Sequence, residues 1–285
     1  IAIDLMGYTR YSRSNIFQFK LAPLQINYLG YAGTIGANYM DYIVADSILI
    51  PDHHKKFFSE KIIYMPHTYL PTDYKKRNIN INIKRKEFKL PETAFVLCCF
   101  NNSYKISSRE FDIWMRILRK KRNCVLWLIK SNKWSEENLY KEAKKRNVDT
   151  SRIIFAEKLS HNEHLNRHEL ADLFIDTFNY NAHMTASDAL WAGLPVITKQ
   201  GKQFSSRVAS SLLKACGLPE LICENELEYE KLILEFIESP EKLKKVRKKL
   251  NNNKIKEPLF DPKRYTRNFE KGLVLAYDNY FKGNK

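Results

Sequence analysis

No run of eighteen apolar residues occurs anywhere in the 285-residue chain, which excludes a hydrophobic helix long enough to cross a membrane. No CxxC pair occurs either. The five cysteines, Cys98, Cys99, Cys124, Cys216 and Cys223, are odd in number and mostly sit inside apolar runs. Disulfides and zinc are therefore not expected, and a reducing, cytoplasmic setting fits best. No D-x-D occurs, so the paired-aspartate device that holds a divalent cation is missing and no metal site is expected. No internal repeat and no signal-peptide pattern is visible. The chain opens without methionine, at Ile1, inside a strand-like run, which reads as a piece cut from something longer.

Acidic residues are in deficit. Lysine and arginine number 48 against 32 aspartates and glutamates, a formal net charge of +16. Such a balance invites a nucleic-acid reading. The lysines cluster in segments 75–89, 119–122, 141–146 and 242–249, mixed with Asn and Glu and without interleaved aromatics. A stacking surface would need those aromatics, so solvated surface is the expectation and nucleic acid is not an expected partner. An acidic protein partner stays open.

The 44% hydrophobic content suffices for two domains of modest size. Segments 1–5, 24–29, 42–50 and 61–65 read as strands, with a helical period over 13–20. Residues 75–90 are polar and without apolar periodicity, as a linker would be. Beyond them strands and helices alternate: strands at 96–100, 125–129, 153–155, 173–175 and 196–198, helices at 108–119, 135–146 and 164–170. The helix at 108–119 carries Phe111, Trp114, Met115 and Leu118 on one face. This alternation predicts a parallel, doubly wound α/β sheet. Helices follow at 207–215, 226–238, 240–250 and 262–281.

The stretch from Ala171 to Thr198, ADLFIDTFNYNAHMTASDALWAGLPVIT, concentrates the chemistry. A short strand leads into a polar loop, and Thr185-Ala186-Ser187-Asp188 fits the start of a helix that Gly193 and Pro195 stop. A helix start at the carboxyl end of a strand suits a phosphate. Asp188 either completes a capping box or accepts hydrogen bonds from a ribose. His183 is either a loop residue or a phosphate ligand. Two further loops should open on the same sheet edge: Phe100-Asn101-Asn102-Ser103-Tyr104-Lys105, and Leu159 to Arg167 with Ser160, His161 and His164. Lys105 reads as a surface lysine or as a cation for a diphosphate. His164 and Arg167, three apart, read as a solvent-facing ion pair with Glu163 or as base contacts. The loop Gly30-Tyr31-Ala32-Gly33-Thr34-Ile35-Gly36 reads as a plain turn or as backbone lying close to a ligand.

Taken together, the 171–198 string, GYAGT at 30–34, DLMGYT at 4–9 and PLFDPKRYT at 258–266 resemble the O-linked N-acetylglucosamine transferases, glycosyltransferase family 41. The resemblance implies a GT-B-like α/β fold: an incomplete Rossmann-like domain at 1–74, a linker at 75–90, a UDP-binding Rossmann-like domain at 91–260 and a C-terminal helix at 261–285. It implies UDP-GlcNAc as donor, serine or threonine of an acceptor protein or peptide as acceptor, inversion at the anomeric carbon, and no cofactor, metal, nucleic acid or membrane. The lysine that meets the diphosphate becomes Lys105, and Asn102 stands where a glutamine contacts the nucleotide. Leu159, Ser160 and His161 cradle the uracil, with His164 and Arg167 beside it. His183, Met184, Thr185 and Asp188 grip UDP, and Gly30 and Ala32 face the sugar. Two departures stand out: Met184 where the family has a threonine, and Ala32 where it has a proline, which implies weaker diphosphate contact and a less rigid loop. Rival readings are a transferase for another sugar or acceptor, and a UDP-sugar binding module without turnover.

Overall fold

The computed structural model describes residues 1–73 and 83–283. They form two parallel sheets. In the first, β1 (Ala2–Asp4), β2 (Gln25–Asn27), β3 (Tyr42–Asp46) and β4 (Lys61–Met65) lie in chain order. All five residues of β3 are buried, as expected of a parallel strand covered on both faces. It pairs residue for residue with β4, from Tyr42 opposite Lys61 to Asp46 opposite Met65. The expected strand over 42–50 stops at Asp46 for a local reason. The Asp46 side chain accepts the amides of Ile48 and Leu49 at 3.0 and 3.1 Å and turns the backbone. The helical period at 13–20 is realised as a 3-10 stretch, Ser14–Phe19, ended by Lys20 in the left-handed region.

The second sheet contains β5 (Phe95–Cys99), β6 (Cys124–Ile129), β7 (Ile153–Ala156), β8 (Leu173–Ile175), β9 (Val196–Lys199) and β10 (Ile222–Cys223). Their order is β10-β9-β8-β5-β6-β7, all parallel, so the chain winds outward in both directions from the β5–β8 pair. Eight helices accompany it: α1 (Ser108–Lys120), α2 (Lys133–Lys145), α3 (His161–Arg167), α4 (Met184–Trp191), α5 (Val208–Ala215), α6 (Glu226–Glu238), α7 (Pro240–Lys256) and α8 (Pro262–Phe281). The face read from the α1 pattern is buried, with Ile113 and Ile117 added to it.

Helices α2, α3 and α7 differ from their expected bounds by two residues or more, each through a cap or a tertiary contact. In α2 the cap is Asn132, whose side chain accepts the Ser135 amide at 2.9 Å, so the helix starts at Lys133 and Ser135 lies inside it. Helix α3 starts at His161 because Ser160 and Glu163 form a reciprocal capping box. Helix α7 continues past Leu250 through three asparagines of poor helix propensity. Its last turns are held from outside: Asn253 donates to the Cys216 carbonyl at 2.8 Å and Lys254 to that of Trp191 at 2.9 Å.

Of the expected linker, residues 75–82 lie outside the described residues, and the rest is docked on the second sheet. Arg85 donates to the Ala94 carbonyl at 2.7 Å and pairs with Asp172 at 2.9 Å. Helix α8 returns to the first sheet. A Cβ on Gly272 would lie 2.6 Å from the Ile63 side chain, so the helix approaches β4 as closely as only glycine allows. The Tyr265 hydroxyl donates to the Tyr69 carbonyl at 2.7 Å.

Asp46 also joins the two units. Its second oxygen accepts the Tyr69 amide at 3.0 Å and the hydroxyl of Ser211, on α5, at 2.6 Å. The carboxylate is buried, so losing one donor is costly. Ser211→Ala is expected to destabilise the chain by ~1–3 kcal/mol, read as a lowered urea midpoint. A midpoint equal to that of the unaltered chain would show that this bond does not hold the units together.

Candidate functional site

Where the strand order reverses, between β5 and β8, the loops leaving the two strands diverge and open a crevice. Asp176, directly after β8, organises it. One carboxylate oxygen accepts the Thr177 amide at 2.8 Å, the Ala182 amide at 2.7 Å and the Asn101 side-chain amide at 3.0 Å. The other accepts the Thr198 hydroxyl at 2.7 Å. Asn101 also donates to the Thr177 hydroxyl and accepts that of Thr185, both at 2.8 Å. Thus one buried carboxylate and one buried amide lock the loops after β5 and β8 to each other, to β9 and to α4. Burial lifts the Asp176 pKa to about 6, against four hydrogen bonds that lower it. Neither Asp176 nor Asn101 was singled out from the sequence. Their signal there is a polar residue placed directly after an apolar strand run, as in Ile175-Asp176.

Lys105 stands against this frame. Its ammonium donates to the Asn181 carbonyl at 3.0 Å and lies 4.2 Å from the centre of the Tyr180 ring. Burial lowers its pKa, with Asp176 pulling the other way. The surface-lysine reading is therefore overturned. His183 packs on the same tyrosine, ring centres 4.7 Å apart and planes 24° from parallel, with Nε2 3.3 Å from the Ser205 carbonyl. Burial, then the nearby Lys105 charge, push its pKa down to about 3, so the ring is neutral near neutral pH.

The α4 start excludes one of the two readings of Asp188. The cap position is His183, two residues earlier than the T-x-x-D pattern implies. Asp188 is the fifth helical residue, out of reach of a capping box, and the capping alternative is overturned. Its carboxylate is buried and meets His161 Nε2 at 3.3 Å from both oxygens. Thr185, inside the first turn, bonds Asn101, while Met184 is 42% exposed at the crevice rim.

Across the crevice from α4, helix α3 presents the third group. Arg167 is only 1% exposed; it donates to the Glu157 carbonyl, bonds His164 Nδ1 and lies over the Phe100 ring at 4.7 Å. Glu163 is occupied by Ser160. Of the two readings of His164 and Arg167, the solvent-facing ion pair with Glu163 does not form among the described residues; both side chains are folded inward against Phe100. Burial drives the His164 pKa down to about 2. Leu159 and His161 are partly exposed above it, and Asn102, exposed, bonds the Tyr104 hydroxyl at 3.3 Å.

The first domain supplies the facing wall. Tyr31, Ala32, Gly33 and Thr34 line a cavity of about 300 Å³ whose other side is Lys202 to Ser205. Their loop is braced by Glu60, which accepts the Ile35 amide at 2.7 Å, and by Asn27, which donates to the Gly33 carbonyl at 3.0 Å. Gly30 serves a different purpose. A Cβ there would lie 2.4 Å from the Leu5 carbonyl oxygen, so its glycine permits the loops after β1 and β2 to touch. Among the described residues no three His, Cys, Asp or Glu side chains converge on a point where a metal ion could sit. What the crevice offers is a partly desolvated cation, a helix start and a buried carboxylate. That set suits a ligand with a dianionic centre and hydroxyl groups.

Residues 1–84 and 75–269 match Glycosyl transferase family 41. The chain is 35% identical over 291 residues to a protein of Arabidopsis thaliana described as a probable UDP-N-acetylglucosamine–peptide N-acetylglucosaminyltransferase, SEC. It is 27% identical over 394 residues to a Caenorhabditis elegans UDP-N-acetylglucosamine–peptide N-acetylglucosaminyltransferase. The matches cover 100% and 99% of this chain but 30% and 34% of those proteins. A mutant O-GlcNAc transferase of Thermobaculum terrenum superimposes with a TM-score of 0.91 at 24% identity, over 99% of this chain and 54% of that one. The fold is thus GT-B, with two α/β units and a helical C-terminus.

The Asp176 carboxyl carries a pH signature. In the folded chain its pKa is raised from 3.8 to about 6, so the folded chain binds more protons than the unfolded one between those values. The stability contributed by this group is greatest below the lower value and falls as pH rises to about 6. Asp176→Asn removes the titration. The difference in unfolding free energy between the unaltered chain and the variant, from urea curves across this range, should decline with rising pH. A difference independent of pH would show that the carboxyl titrates normally.

Proposed function

The chain belongs to Glycosyl transferase family 41, and from that membership we propose that it acts in the transfer of N-acetylglucosamine from UDP-GlcNAc to serine or threonine hydroxyls of proteins. The reading includes inversion at the anomeric carbon, independence of metal and a cytoplasmic setting. The observation that carries it is Lys105, a partly desolvated ammonium held at the β5–β8 crevice beside the start of α4.

In this reading the acceptor oxygen attacks the anomeric carbon from the face opposite UDP. A new glycosidic bond forms, the bond to the β-phosphate oxygen breaks, and the acceptor proton passes to a base that these residues do not identify. Negative charge grows on the diphosphate as UDP leaves. Lys105 and the first amides of α4 meet that charge in place, with little reorganisation. The amide of Met184 replaces the hydroxyl that the family's threonine would supply. Asp188 accepts hydrogen bonds from the ribose hydroxyls, with His161 beside it. His164 and Arg167, held inward against Phe100, lie beside the uracil and support its cradle, and Leu159 and Ser160 edge it with Asn102 on the rim. Across the cleft Ala32 and its neighbours face the sugar.

Mass spectrometry of an acceptor peptide incubated with the protein and UDP-GlcNAc reads the reaction. A gain of one N-acetylhexosamine, unchanged by chelator, is expected; UDP binding without that gain would mark a binding module. Lys105→Met keeps most of the side-chain length and removes the charge. Because the charge it meets grows toward the transition state, turnover should fall about a hundredfold or more while UDP-GlcNAc affinity changes less. Turnover at the parent rate would leave Lys105 without a part in the chemistry. Asp188→Ala should weaken UDP binding by ~1–3 kcal/mol in calorimetry, and equal affinity would remove Asp188 from the ribose site.

A further inference from the structure

The Lys105 ammonium has one hydrogen-bond acceptor among the described residues, the Asn181 carbonyl at 3.0 Å. A four-carbon stem with one hydrogen bond does not fix a charge in position. The second contact is the Tyr180 ring, 4.2 Å away, and that ring is itself packed against His183. Tyr180 and Asn181 are consecutive residues of the loop that Asp176 pins: Thr177 donates its hydroxyl to the Tyr180 carbonyl at 2.7 Å, and Asn181 donates its side-chain amide to the Thr177 carbonyl at 2.8 Å. The ring is therefore held by its own backbone and by a neutral imidazole, not by the lysine it touches.

We propose that Tyr180 is a positioning residue for Lys105, its ring face holding the ammonium at the crevice so that the charge stands where the departing diphosphate develops its own. This rests on the reading of the crevice as a nucleotide-sugar site. A neutral ring is suited to the task. A carboxylate would hold the lysine more strongly and would repel the diphosphate, while an open, solvated position would leave the ammonium mobile. Cation–π attraction on a partly desolvated ammonium lies between these limits and adds no negative charge. The surrounding titratable groups agree with this. Asp176, after β8, favours the charged lysine, although it is already occupied by four donors, while Cys99, at the end of β5, is held as a neutral thiol by burial. His183 is held neutral and so adds no competing positive charge. Nothing in the local sequence pattern marks Tyr180, which stands in a loop five residues before a helical threonine; the contact arises when the loops after β5 and β8, distant in the chain, meet.

Two substitutions separate the ring from the hydroxyl. Tyr180→Phe keeps the face and Tyr180→Leu removes it while remaining apolar; thermal melts establish that both fold. In the ligand-free chain, isotope-labelled lysine, with Lys105→Met to assign the signal, gives the Lys105 titration by NMR. The ring favours the ammonium, so Tyr180→Leu should titrate at lower pH than the unaltered chain, and Tyr180→Phe should match it. In the transfer assay Tyr180→Leu should lose about tenfold in kcat with a smaller change in KM for UDP-GlcNAc, and the alkaline limb of its pH profile should move down; Tyr180→Phe should restore both. An unchanged titration in Tyr180→Leu, or a phenylalanine variant as impaired as the leucine one, would overturn the assignment. Failure of the functional reading looks different: the unaltered protein would bind no UDP in calorimetry, whereas the NMR titration would still report whether the ring holds the lysine.

Discussion

A carboxylate buried at the end of β8 is the constraint on which the rest of the crevice depends. Asp176 has no exposed surface, and its environment disfavours its charge. Four donors make that position tenable, and each comes from a different part of the second domain's crevice: the turn itself, the amide entering α4, the loop after β5 and the strand β9. Such a group is costly if any donor is withdrawn, so it fixes the relative positions of all of them. The Tyr229 hydroxyl adds a fifth tie, to the Asp176 carbonyl at 3.0 Å, and reaches Trp114 of α1 at 3.2 Å. The loop that presents Lys105 is thereby set from beneath by the core.

The first domain repeats the device. Asp4 ends β1 and accepts the amides of Met6 and Gly7, with the Ser14 hydroxyl at 2.6 Å. Asp46 ends β3 and takes donors from its own turn, from Tyr69 and from Ser211 across the domain boundary. In each case a parallel strand stops where a carboxylate can collect the amides that the sheet no longer pairs. The domain joint is thus a shared hydrogen-bond site as well as an apolar contact. Arg207 adds to it by donating to the carbonyls of Ile48 and Gly201, one in each unit.

Charge near the crevice is sparing despite the net +16 of the chain. Lys105 and Arg167 are the cations drawn inward, and both have lowered pKa values because burial disfavours their charge. His164 and His183 are neutral for the same reason. Much of the remaining positive charge lies on helix surfaces in ordinary exposed pairs, such as Lys145 with Glu142 and Lys242 with Glu235. A few cations with little competing negative charge act on a bound anion more strongly than many solvated ones.

The sequence by itself determined the alternation of strands and helices, the two-unit plan and the location of the crevice. Those follow from local periodicity and from strand ends: β8 and α8 were legible to the residue from 173–175 and 262–281, and the parallel sheet from the spacing of its elements. The resemblance in the 171–198 string added which loops the proposal assigns to the ligand. Tertiary structure alone decided what each polar side chain does there. A cap was one of two readings of Asp188 because T-x-x-D is a local pattern, but His183 claims the cap position and leaves Asp188 to face His161 on another helix. His164 and Arg167 looked solvent-facing because helical spacing says nothing about which face meets a sheet, and Phe100 takes them in. Asp176, Asn101 and Tyr180 were silent because their partners lie far off in the chain. Periodicity is a property of neighbours along the backbone, whereas burial, pKa and hydrogen bonding belong to neighbours in space.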